Sequence, residues 1–267
     1  MDGGPVRGRA CDSREEWVYA VHRRAADARG RAAVSPVSEN TTVLIIGASR
    51  GLGHAIAAEY LERGSRVVAT VRGTGRTALH ELADGAGGCL EIEQLDINSP
   101  PQLHALRNRL DDRRFDLLFV NAGVATATAV TTADVTTEEF TRLMVTNALS
   151  PMRVVETLGD LVDPDGTIGI MSSGQGSIAN NGGGGFEIYR ASKSALNQLM
   201  RSYAARHRGE TRTLLLMAPG WVKTDLGGPG ARLTIGESIP GLVTTIDSQR
   251  GRPGLRFLDY RGETVAW

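Results

Sequence analysis

From Thr41 onward, short apolar runs alternate with amphipathic stretches. Strand-like runs occur at TVLIIG, RVVATV, CLEIEQL, DLLFVNAG, GTIGIMSS, RTLLLMAPG and LRFLDY. Between them lie helix-like segments: GHAIAAEYLERG, ALHELADG, PQLHALRNRLDD, EEFTRLMVTNALSPMRVVETL and YRASKSALNQLMRSYAARH. Continuous Val, Ile and Leu runs fit strands buried on both faces, and the intervening helices supply the cover. The pattern predicts an α/β fold, a single Rossmann-type doubly wound parallel sheet of about seven strands with helices on both faces. Such sheets bind ligands beyond the carboxyl ends of their strands. No internal repeat and no linker divides residues 41–267, so one domain is expected there.

Residues 1–40 break the pattern. They are rich in Arg, Ala and Gly and poor in bulky aliphatics, as in VHRRAADARGRAAV. Asp2, Asp12, Glu15, Glu16 and Asp27 interrupt the basic run, unlike an organelle transit peptide, and there is no secretory hydrophobic core. A disordered tail is expected, with room for a short helix from Glu15 to Ala26. Over all 267 residues, 30 basic and 30 acidic side chains balance, which argues against nucleic acid as a partner. Cys11 and Cys89 form no CxxC and join no histidine cluster, so no metal site is expected and a reducing, cytoplasmic compartment is. No apolar run is long enough for a membrane helix.

The first chemical motif is GASRGLG, with Gly47, Gly51 and Gly53 directly after the first strand and opening a helix. Glycine there permits a tight turn and close approach of backbone to a pyrophosphate, which the helix N-terminus stabilises. Ser49, Arg50 and Leu52 belong to the same turn. The spacing is G-x-x-x-G-x-G rather than the more familiar G-x-G-x-x-G. Later come NAG, an asparagine, a serine and YRASK, in that order. In YRASK, Tyr189 precedes Lys193 by one helical turn, so the two side chains share a face. By itself that spacing also fits a lysine lying over a surface tyrosine.

Taken together these motifs resemble the classical short-chain dehydrogenase/reductase family, from Thr41 to Trp267. The ending GWVKTDLGG…DYRGETVAW is similar to the subgroup of sniffer-type carbonyl reductases and C-factor signalling proteins. The resemblance implies a nicotinamide cofactor. In such folds an acid after the second strand holds the adenosine ribose, whereas an arginine accommodates a 2′-phosphate. RVVATVRGTGR has no acid; Arg72 closes it, and Arg50 lies in the glycine turn, so NADP(H) is expected over NAD(H).

The resemblance further implies that Asp96 binds the adenine end with Ile97 beside it, and that Asn121, Ala122 and Gly123 lie along the cofactor. Asp96 could instead cap the next helix, and Asn121 could hold the sheet together. Pro219 and Gly220 would bend around the nicotinamide, with Val222 and Thr224 at its carboxamide. The implied catalytic set is Asn147, Ser173, Tyr189 and Lys193, with Ser172 as a rival to Ser173. Tyr189 and Lys193 would also bind the cofactor, Lys193 at the nicotinamide ribose, and Asn147 would place a water between Lys193 and solvent.

Carbonyl reduction needs a proton for the nascent alkoxide. Bringing a phenol from a pKa of about 10 to neutrality takes about 4 kcal/mol. A cation about 4 Å away at an effective dielectric of about 20 supplies a comparable amount. Lys193, helped by the oxidised nicotinamide, is therefore expected to make Tyr189 a proton donor.

Two departures from the family pattern stand out. Ile46 occupies a place the family usually gives to Thr. The stretch DLGGPGARLTIGESIP before the next helix is short and glycine-rich, so an open site for small or planar carbonyls is expected, with Gly182–Gly185 mobile beside it. The expected function is NADPH-dependent reduction of a ketone or aldehyde. NAD-dependent oxidation of an alcohol and a C-factor-like dinucleotide-binding signalling role are the alternatives. A homodimer or homotetramer is expected, with SALNQLMRSYAARH facing either a partner or the sheet.

Overall fold

The computed structural model describes residues 41–125 and 130–267. The tail expected over residues 1–40, with its short helix, lies outside the described residues.

Seven strands form one parallel sheet in the order β3-β2-β1-β4-β5-β6-β7. They are β1 (Thr42–Ile46), β2 (Arg66–Val71), β3 (Leu90–Gln94), β4 (Phe115–Val120), β5 (Val162–Met171), β6 (Thr213–Ala218) and β7 (Gly254–Asp259). The helices are α1 (Gly51–Glu62), α2 (Ala78–Gly85), α3 (Pro100–Arg109), α4 (Thr137–Met144), α5 (Ser150–Leu158), α6 (Glu187–Arg206) and α7 (Ile235–Ser248).

Because side chains alternate along a strand, β1 feeds two cores. Leu44 and Ile46 pack with Leu103 of α3, Val154 of α5 and Leu196 of α6. Val43 and Ile45 pack with Ile56 of α1, Leu79 of α2 and Leu242 of α7. Burial on both faces is why the strand runs are continuously apolar. The strand order reverses between β1 and β4, and that switch point is where open α/β sheets place their ligand. On α6, Leu196, Met200 and Tyr203 face the core while Leu199 is exposed, so the helix serves the sheet first.

The structure corrects three expected boundaries. β5 begins at Val162 rather than near Gly166. The stretch expected as one helix over residues 138–158 is broken by a π-type turn, Val145–Leu149, centred on Asn147. The last helix begins at Ile235, ahead of Pro240. A reciprocal capping box between Thr234 and Glu237 starts it, and Pro240 sits early enough for that start to hold. No cysteine among the described residues is free, and Cys11 lies outside them.

Candidate active site

One cleft of about 800 Å³ runs along the carboxyl ends of the strands. At one end, β1 turns through Gly47 (φ 89°) and Gly51 (φ 59°), conformations that suit glycine. A Cβ on Gly53 would stand 2.1 Å from the Gly47 carbonyl oxygen, so only glycine lets α1 approach the turn. A Cβ on Gly51 would meet nothing within 4 Å. The N-cap of α1, Arg50, makes no side-chain capping bond, which leaves first-turn N–H groups open to an anion. This turn fits a pyrophosphate.

Thr70 on β2 adds a contact that the sequence did not suggest. Its hydroxyl accepts from Gly47 N at 2.9 Å, supplying local support from a strand beside the turn where Ile46 offers no hydroxyl. Asn121 donates to the Gly47 carbonyl oxygen at 2.8 Å and so ties the end of β4 to the turn. The Asp96 carboxylate accepts from Asn98 N at 2.9 Å, inside its own loop and ahead of α3.

Arg72 and Asp96 line the cleft with Ile97, Ala122 and Gly123. Arg50 reaches across the cleft mouth to Asp225 at 2.9 Å, with both side chains 78% exposed. So exposed a pair contributes at most about 1 kcal/mol and can yield to a stronger anion. On the far wall, Gly220 takes φ 81°, and Pro219 accepts from the Ser238 hydroxyl at 2.7 Å. Val222 bridges to Leu233, and Thr224 accepts from Gly227 N at 3.0 Å, which folds the following loop onto itself.

The other end of the cleft is buried. Lys193 is 4% exposed and donates from Nζ to the Met171 carbonyl oxygen at 2.9 Å. Its ammonium lies 6.0 Å from the centre of the Tyr189 ring. Burial lowers Lys193 from 10.5 to about 8. Burial also raises the Tyr189 phenol above its usual value, and the opposing influence is its hydrogen bond with Ser173. In the chain by itself burial sets the direction for Tyr189, whereas the expected lowering combines Lys193 with the oxidised nicotinamide. Desolvation penalises the charged form of each group, the Tyr189 phenolate and the Lys193 ammonium.

Both serines line the cleft, but in different surroundings. Ser172 is buried and donates to Asn197 Oδ1 at 2.6 Å, whereas Ser173 is half-buried and hydrogen-bonds Tyr189. Asn147 is fully buried. Its side chain accepts from Val124 N and donates to Val124 O, both at 2.8 Å, and donates to the Ser192 hydroxyl at 3.0 Å. Ser192 in turn donates to the Tyr189 carbonyl oxygen at 2.7 Å. The π turn is what allows a helical asparagine to make these contacts. A Cβ on Gly123 would meet Asn147 Oδ1 at 3.3 Å and Lys193 Nζ at 3.5 Å, so Gly123 preserves a small space bordered by both.

Sequence reasoning missed the large apolar groups of this cleft. Phe186, Trp221 and Leu226 line it and remain substantially exposed. Phe186 has φ 50°, the one positive φ outside glycine among the described residues, and it caps the helix carrying Tyr189. The adjacent FEIY was the available signal, a bulky residue ending a glycine run. Trp221 is fixed by its indole N–H, which donates to Gly227 O at 2.8 Å.

The model of the short chain dehydrogenase family matches residues 41–231. A structure from Burkholderia multivorans described as a short-chain dehydrogenase/reductase with bound NADP is 59% identical. It covers 85% of this chain and 100% of its own, with a TM-score of 0.84. A carbonyl reductase from Pseudomonas aeruginosa PAO1, in complex with NADP, is 35% identical over 85% of this chain and 100% of its own, with a TM-score of 0.78. The C-signal protein of Myxococcus xanthus is 37% identical over 57% of this chain and 92% of its own length.

Proposed function

The chain belongs to the short chain dehydrogenase family, and from that premise we propose that residues 41–267 act as one NADPH-dependent carbonyl reductase domain. The observation that carries the reading is the division of one cleft. An uncapped helix N-terminus and two arginines lie at one end, and Ser173, Tyr189 and Lys193 at the other.

The chain's groups fit the dinucleotide. Gly47, Ser49, Arg50, Gly51, Leu52 and Gly53 would hold the pyrophosphate, and Arg72 and Arg50 the 2′-phosphate. Asp96 and Ile97 would take the adenine. Asn121, Ala122 and Gly123, with Lys193, would lie along the nicotinamide ribose, and Pro219, Gly220, Val222 and Thr224 along the ring. When bound, the cofactor supplies the hydride and, once oxidised, a positive ring beside Tyr189.

Ser173 donates a hydrogen bond to the substrate oxygen and orients it. As negative charge grows on that oxygen, Tyr189 delivers its phenolic proton. Lys193 stabilises the phenolate that remains and passes it a proton, and Asn147 borders the space through which a proton from solvent returns to Lys193. Phe186, Trp221 and Leu226 fit a flat, apolar substrate body.

We further propose a homodimer or homotetramer, supported by Phe140, Leu149 and Leu199 left exposed on α4, the π turn and α6. A cytoplasmic setting, where NADPH drives reduction, suits the proposed direction.

Titration with NADPH and NADH, followed by nicotinamide fluorescence, tests the reading. NADPH should bind at least tenfold more tightly, given one charge-assisted contact to the extra phosphate worth about 1.5–3 kcal/mol. Equal or tighter NADH binding would favour NAD-dependent alcohol oxidation. Binding of neither would favour a signalling role, the reading to which the C-signal likeness lends support.

A further inference from the structure

Between Ser173 and Tyr189 the chain crosses a segment that supplies one wall of the cleft through Gly174, Gln175 and Phe186. Residues 178–187 are exposed, and four consecutive glycines, Gly182–Gly185, precede Phe186. An exposed glycine-rich stretch loses much conformational freedom when it is held in one shape.

Several hydrogen bonds in it are local, such as Asn181 N to Ile178 O and Gly184 N to Asn181 Oδ1. Among the described residues, the bond that ties residues 178–184 to a distant part of the chain runs from Ala179 N to the main-chain oxygen of Trp267, at 2.9 Å.

Trp267 is itself held on two sides. Its ring lies 5.6 Å from that of buried Phe257 on β7, and the Arg201 guanidinium from α6 sits 4.7 Å over its centre. The path back to β7 is equally constrained. Asp259 Oδ1 accepts from Arg261 N and Glu263 N, both at 2.9 Å, Leu258 bridges to Thr264, and Val265 N donates to Phe257 O. Val265 then lines the cleft itself.

We propose that Trp267 is a positioning residue for substrate binding. Its ring, wedged between Phe257 and Arg201, fixes its main-chain oxygen as the anchor for Ala179 and so holds the cleft wall between Ser173 and Tyr189. The proposal rests on the reductase reading for its effect on turnover, but the anchor itself is independent of that reading. Trp267 touches neither the reacting atoms nor the glycine turn, so its loss acts on substrate affinity and leaves cofactor affinity alone.

The test compares wild type with Trp267→Ala, Trp267→Phe and Arg201→Gln. It measures amide hydrogen exchange at Ala179 and steady-state reduction of phenanthrene-9,10-quinone, a flat apolar carbonyl, with NADPH. In Trp267→Ala, exchange at Ala179 should quicken and KM should rise about tenfold, the scale of one hydrogen bond. The kcat should stay within about threefold and the NADPH Kd within about twofold, the scale of effects that miss the site. Trp267→Phe should restore most of the KM, and Arg201→Gln should shift it in the same direction by less, which keeps the test readable if the alanine variant folds poorly. Unchanged exchange at Ala179 would overturn the anchor. Faster exchange with unchanged KM would overturn the positioning role. Failure of wild type to bind NADPH would instead overturn the reductase reading, and the exchange data would still report on the anchor.

Discussion

The two ends of the cleft are built from opposite materials. At the proton-transfer end, Asn147 and Lys193 are buried, each polar atom has a fixed partner, and burial moves the pKa values of both Lys193 and Tyr189. At the phosphate end, Arg72 and Arg50 are exposed, and Arg50 pairs with an equally exposed Asp225. Charges in water are screened and exchange partners cheaply, whereas buried ones are costly to misplace. In the proposed mechanism one end therefore sets the chemistry, and the other chooses between cofactors. The residues sort themselves by burial before any role is assigned to them.

Large effects of breaking this division are expected at the buried end, at Lys193 as well as Tyr189. Lys193→Met should cut turnover about a hundredfold or more, the range for a group that supports general acid catalysis. In wild type, reduction should decline as pH rises above about 8, where Lys193 loses its proton. Stability should respond in the opposite direction. Between about 8 and 10.5 the folded chain has released a proton that the unfolded chain still holds, so stability rises with pH through that window. Denaturant midpoints across pH 7–11 should show the rise in wild type and its loss in Lys193→Met. A parallel pair of profiles would contradict the burial of a charged Lys193.

At the exposed end effects should be smaller and salt-dependent. Arg72→Glu should weaken NADPH about tenfold and NADH little, an effect that shrinks with added salt. Arg50→Ala should cost about threefold, since Arg50 already has a partner to give up. Equal weakening of both cofactors by Arg72→Glu would break the 2′-phosphate assignment.

Much of this was legible in the residues. The seven apolar runs place all seven strands, because a strand buried on both faces cannot hide its pattern. The glycine turn and YRASK could be read because backbone geometry and helical spacing are local properties. What could not be read depends on distance in space. Thr70 supports Gly47 from another strand, Arg50 meets Asp225 across the cleft, and Trp267 meets Ala179. The pKa direction of Tyr189 could not be read for a related reason. It depends on burial, which raises Tyr189 and lowers Lys193, whose ammonium donates to Met171 O. The start of α7 lies ahead of Pro240, a residue that reads as a boundary, although the capping box at Thr234 and Glu237 is present in the sequence.

In the proposed mechanism Tyr189 gives the proton and does nothing essential for holding the cofactor. Tyr189→Phe keeps the ring and removes only the hydroxyl, so NADPH affinity and the single-turnover rate of phenanthrenequinone reduction can be measured on the same variant. The expected result is an NADPH Kd within about twofold of wild type and a rate lower by about a thousandfold, within the range for general acid catalysis. A near-normal rate with normal cofactor binding would contradict that role and place the proton donor elsewhere in the cleft.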